Sequence, residues 1–189
     1  DGEEGVGSGT VREFFETAMK IPQEGIGGTG KPIIYLEGEE DHLLPVHNQI
    51  MQMGAYICIG KIVGHSILRG GPGLVGLSPA AKHYLAYDHE QIPPPVVLED
   101  IPDINLREAI QELQQLDDAT KFSADLRLIL EPYMMEAGVE LELMHVDTKL
   151  VIQGLMWYFI INKKKLELND IAKGMNEVSL QKFLTQQPY

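Results

Sequence analysis

Cysteine is nearly absent from this 189-residue chain. Cys58 stands alone, so no intramolecular disulfide can form and the composition suits a reducing compartment. Cations are scarce as well: 15 lysines and arginines face 28 aspartates and glutamates, a formal charge of −13. That balance argues against a surface for nucleic acid or anionic membrane, both of which need clustered positive charge. Long hydrophobic runs are missing too. The longest greasy stretch, LVIQGLMWYFII from Leu150 to Ile161, is shorter than the roughly 20 residues that cross a bilayer and reads as a core helix. The opening DGEEGVGSG is acidic and glycine-rich, without the basic-then-apolar order of a signal peptide. The expectation is a cytoplasmic or nuclear protein with neither nucleic acid nor membrane among its partners.

Arrangements that carry chemistry are equally sparse. Cys58 lies in AYICIG between Ile57 and Ile59 and reads as a buried, inert thiol, since a nucleophilic one needs exposure and a neighbour that lowers its pKa. The six histidines contain no H-x-x-x-H pair that would put two imidazoles on one helical face for zinc. No G-x-S-x-G elbow occurs. The acidic tip Glu37 to Asp41 and the pair Glu140 and Glu142 read as solvated charge. The run Lys163 to Lys165 reads as a solvated helix end, where cations meet the negative pole of the helix.

One stretch does suggest chemistry. Gly25 to Lys31, GIGGTGK, fits the G-x-x-x-x-G-K part of a phosphate-binding loop. Such a loop leaves a strand and opens a helix whose hydroxyl residue holds magnesium. Here the entering chain has helical spacing, Pro32 stands where Ser or Thr belongs, and the exit IIYLEG reads as a strand. The order is reversed, so the stretch reads as a connector. No catalytic residue, no cofactor and no metal site is expected in the chain.

What is present is helical periodicity. Thr10 and Glu13 form a capping-box pattern, with Val11, Phe14, Phe15 and Ala18 on one face and Pro22 closing the helix. A strand follows at Ile33 to Leu36. A long helix is expected from Pro45 to Leu68, stopped by Gly70 to Pro72. Gly54, Gly60 and Gly64 lower its propensity, so another element should lie close against it. Ser78 and Pro79 open a short helix through Tyr87. Further helices are marked by Leu106 to Leu116 and by Phe122 to Tyr133, the second kinked or ended by Pro132. Gly138 is a terminator, Val139 to Met144 alternates like a strand, and three helices follow: Asp147 to Ile161, one ending at Gly174, and one through Leu184. The fold class is mainly α (α+β), with a few short strands and one sizeable core.

Several stretches together resemble the N-lobe of HECT-type ubiquitin ligases. Arg12, Glu13, Phe14 and Phe15 match the family's G-x-D-x-G-G-x-x-R-E-F-F opening, with Gly5 and Gly9 near its glycines; Gly7 replaces the Asp and Thr10 the second Gly. Gln52 to Leu68, the GGPGLVGLSP stretch, Leu98 to Leu113 and Val146 to Met175 are similar to later N-lobe segments, so the likeness covers nearly all of residues 1–189. Its wording is most similar to a divergent vertebrate subgroup.

The resemblance implies a helix-rich N-lobe on which a ubiquitin-conjugating enzyme docks, so that ubiquitin passes to a C-lobe cysteine and then to a substrate lysine. The Thr-Cys motif carrying that cysteine is not in this chain, so the chain alone should form no ubiquitin thioester. Residues 117–145 stand where the family has a larger conjugating-enzyme-binding subdomain and imply a reduced equivalent. There Leu130, Tyr133, Met134 and Met135 form either an exposed apolar patch for that partner or the core of a shortened helix pair. The alternative to ligase function is a degenerate HECT-like scaffold.

Overall fold

The computed structural model describes residues 4–24, 35–47, 54–87, 92–116, 123–140, 142 and 147–178, and these are mainly helical. Helix α1 spans Glu4–Glu24, α2 Ala55–Leu68, α3 Pro79–Ala86, α4 Ile104–Gln114, α5 Ala124–Ala137, α6 Thr148–Ile160 and α7 Lys165–Glu177. A two-stranded antiparallel hairpin, β1 Leu36–Glu37 and β2 Leu44–Pro45, sits between α1 and α2 in sequence. No helix among the described residues is long and apolar enough to cross a membrane.

The central feature is the pairing of α2 with α7. A Cβ on Gly60 would come within 2.1 Å of the Ile171 carbonyl oxygen, and one on Gly174 within 2.1 Å of the Ile57 carbonyl oxygen. Each helix therefore presents a glycine to the other's backbone. This is the close approach anticipated for Gly60. Gly174 is not a terminator: it lies inside α7, which runs on to Glu177, and its missing side chain serves packing rather than a turn. Helix α1 flanks α2 through buried Phe15, Ala18 and Met19, whereas Phe14 is 65% exposed. Helix α3 packs on α7, and α4, α5 and α6 pack on one another. One apolar core runs through the whole, from Tyr56 and Leu85 to Leu130, Leu155 and Ile171.

Local signals set most helix starts. Ser78 Oγ accepts from the Ala81 N–H, Asp103 Oδ1 from the Asn105 and Leu106 N–H groups, Ser123 Oγ from Leu126 and Asp147 Oδ1 from Leu150, satisfying donors that lack helical partners. Gly138, at φ 68°, closes α5 in the left-handed conformation glycine adopts freely.

Other expectations change. Helix α1 begins at Glu4, so Thr10 is an interior residue and not a cap, and Pro22 lies within the helix. Pro45 belongs to β2, where a residue without an N–H is tolerated at a sheet edge; positions 48–53 of the expected long helix lie outside the described residues, and α2 begins at Ala55 after Gly54, whose φ is 90°. Pro132 lies inside α5 without ending it. It has no N–H to give the Leu128 carbonyl. Of the strand expected at Val139 to Met144, Val139 and Glu140 are not in a strand and Glu142 sits in a 3-10 turn, while positions 141, 143 and 144 lie outside the described residues. Of the strand expected at Ile33 to Leu36, only Leu36 is in β1, while positions 33 and 34, like the helix through Leu184, lie outside the described residues.

Candidate functional site

Helix α5 carries more apolar residues than one face can bury, and its 3.6-residue period sorts them. Leu126, Leu130 and Met134, spaced i, i+4, i+8, are 1%, 0% and 0% exposed. On the opposite side Leu128, Pro132 and Met135 fall at i, i+4, i+7. Leu128 is 71% exposed and Met135 70%, with Ile129 beside them at 45%. The four residues expected from sequence therefore do not form one patch. Leu130 and Met134 are core, because their spacing points them at α4 and α6. Tyr133 is half-buried, its ring edge-on to Phe159 at 5.6 Å and its hydroxyl donating to Asp103 Oδ2 at 2.8 Å. Burial first, then the Asp103 carboxylate, pushes its phenol up to about 12. Met135 alone stands free at the surface. Sequence periodicity marks α5 as a helix but does not single out Leu128 or Pro132, so the outward stripe has no sequence signal of its own.

Beside this stripe, α4 and α5 enclose a groove of about 420 Å³, lined by Asn105, Glu108, Ala109 and Glu112 from α4 and Ile129, Pro132 and Tyr133 from α5. Glu108 and Glu112 are one helical turn apart on the same bank, and no cationic side chain lines it.

A second cleft, of about 470 Å³, lies where the hairpin meets α5, α6 and the α6–α7 junction. It is rich in charge, and each charged lining group already has a partner. Lys163 pairs with Glu136 at 2.8 Å and lies 4.9 Å over the Phe159 ring. Lys164 pairs with Glu37. His47 Nδ1 is 3.0 Å from Glu167 Oε1, and Asp103 both caps α4 and holds Tyr133. Nearby, His42 Nδ1 meets Asp100 Oδ1 at 2.7 Å. Burial raises the Asp100 carboxyl, and the His42 contact draws it part of the way back. The second oxygens of Asp100 and Glu167 have no hydrogen-bond partner among the described residues. Among the described residues no group of three His, Cys, Asp or Glu is placed to hold a metal. The cleft binds the hairpin to the helices.

The lysine run is thus more than a solvated helix end. Lys164 is 3% exposed, and burial lowers its ammonium pKa while Glu37 partly restores it. A buried charge that loses its partner costs more than the intact pair contributes. Glu37→Ala is therefore expected to destabilise the protein more than Lys164→Met, which replaces the ammonium with apolar volume. Urea denaturation of the two variants checks the order, and equal losses would contradict it.

Cys58 is exposed, contrary to the buried expectation. The inward face of α2 is taken by Tyr56, Ile59, Gly60 and Val63, which turns position 58 outward. No hydrogen bond joins it to a histidine among the described residues. The stretch Gly25 to Lys31 lies outside the described residues, with α1 before it and β1 after it. No family model, curated protein or solved structure matches the chain.

Proposed function

We propose that this chain is a divergent HECT-type N-lobe that serves as a docking platform for a ubiquitin-conjugating enzyme, with the outer face of α5 as the docking surface. The observation that carries this reading is the exposed line Leu128, Pro132 and Met135. It lies within residues 117–145, the segment that the resemblance sets against the conjugating-enzyme-binding subdomain. Contiguous exposed apolar side chains on a helix are a surface suited to a partner. On this reading ubiquitin passes to a C-lobe cysteine that these residues do not include, and the chain works in the cytoplasm or nucleus.

Titration against a panel of conjugating enzymes, followed by heteronuclear NMR, tests the proposal. At least one member is expected to bind and to perturb α5 resonances. Leu128→Asp with Met135→Asp is expected to weaken that binding at least about tenfold without loss of helical circular dichroism. Lack of binding by any member at high micromolar concentration would overturn it. The second reading, a HECT-like scaffold without ligase function, draws on the use of the inner face of α5 by the core, which leaves a single narrow face for a partner. A conjugating enzyme that binds but whose charged thioester discharges no faster in the presence of the full ligase chain would favour it.

A further inference from the structure

The groove between α4 and α5 has a definite chemical character. Its floor and one bank are apolar, from Ala109, Ile129, Pro132 and the Tyr133 ring, and its other bank carries Glu108 and Glu112. Neither carboxylate has an ion-pair partner among the described residues, whereas Asp103 and Glu136 at the other end of these helices are engaged. The arginine of α4, Arg107, is held by Glu39 at 2.5 Å and by the Ile101 carbonyl. An acidic bank facing an apolar wall repels an acidic partner and accepts a segment of opposite charge.

We propose that the α4–α5 groove receives an amphipathic helical segment of a partner protein, one that lays an apolar ridge against Ile129 and Pro132 and sets Lys or Arg side chains on Glu108 and Glu112. This deepens the reading of α5 as a docking face and rests on it: the docking partner is one whose contact surface is basic. Complementarity of this kind acts mainly on association rate and specificity, so binding weakens as salt rises.

The test uses the whole chain and two fluorescently labelled helical peptides with the same leucine ridge, one flanked by lysines and the other by glutamates. Fluorescence anisotropy is expected to show binding of the lysine peptide, weakened by added salt, and none of the glutamate peptide. Glu108→Lys with Glu112→Lys, both at exposed positions, is expected to reduce lysine-peptide affinity at least about tenfold with unchanged circular dichroism. Equal binding of the two peptides, binding of neither, or a charge-reversed variant with unaltered affinity would overturn the inference. A conjugating enzyme whose binding ignores the charge reversal overturns the groove and leaves the docking platform standing. A lysine peptide that binds while no conjugating enzyme does keeps the groove and removes the platform.

Discussion

Gly60→Ala is expected to destabilise the protein by about 3 kcal/mol, enough to remove a large part of the stability of a domain this size. The added methyl would sit 2.1 Å from the Ile171 carbonyl oxygen, 2.9 Å from its carbonyl carbon and 3.0 Å from the Gly174 Cα. All three are backbone atoms, so no side-chain rotation relieves the clash. The α2–α7 pair must separate, and the packing on both sides is lost with it. Gly174→Ala meets the Ile57 oxygen at the same 2.1 Å and is expected to cost as much. Gly64→Ala meets Val178 Cγ2, a side-chain atom that can move, and costs less. Gly9, with nothing within 4 Å and inside α1, is the control. There alanine is expected to stabilise by up to about 1 kcal/mol. Denaturant titration of the four variants gives the order, and a Gly60→Ala protein as stable as the parent would remove the account of the central helix pair.

The second large effect separates the two faces of α5. Leu130→Ala is expected to cost about 2–5 kcal/mol, because the side chain is fully buried and the vacated volume lies between helices that cannot close over it. Met135→Ala, at 70% exposure, is expected to stay within about 0.5 kcal/mol of the parent. The contrast falls between two residues that sequence reading placed together. Calorimetric melting of both variants measures it. Similar losses would mean that α5 packs in another rotation, and the exposed stripe would go with it.

How much of this was legible depended on the range of the forces involved. Ser78–Pro79 and Asp147 marked their helices because capping is settled within three residues of chain. Gly60 announced a close neighbour because glycines inside a helix lower its propensity and ask for a compensating contact. Thr10 misled for the opposite reason: a capping pattern is only an offer, and the chain ahead of it continues the helix. Gly174, Cys58 and Lys164 were misread because their roles are set by elements far away in sequence. A terminator glycine and a packing glycine look alike until α2 is in place, and the outward turn of Cys58 follows from which side of α2 meets α7. On α5, periodicity found the helix but could not say that two apolar lines, rather than one, run along it. The charged cleft was invisible, since its pairs join residues as far apart as Glu37 and Lys164.

The hairpin of β1 and β2 is fastened in part through such distant partners. His42 reaches Asp100 58 positions away, His47 reaches Glu167 across 120, and Glu37 reaches Lys164 across 127, while the Tyr56 hydroxyl spans the carbonyls of Tyr35 and Val46. Four registry points drawn from α2, α7, the α6–α7 junction and the segment before α4 cannot be met until those pieces have assembled, because loop closure must come first. The hairpin is therefore expected to latch late in assembly, as a checkpoint met once the separate helices have arrived in one correct arrangement.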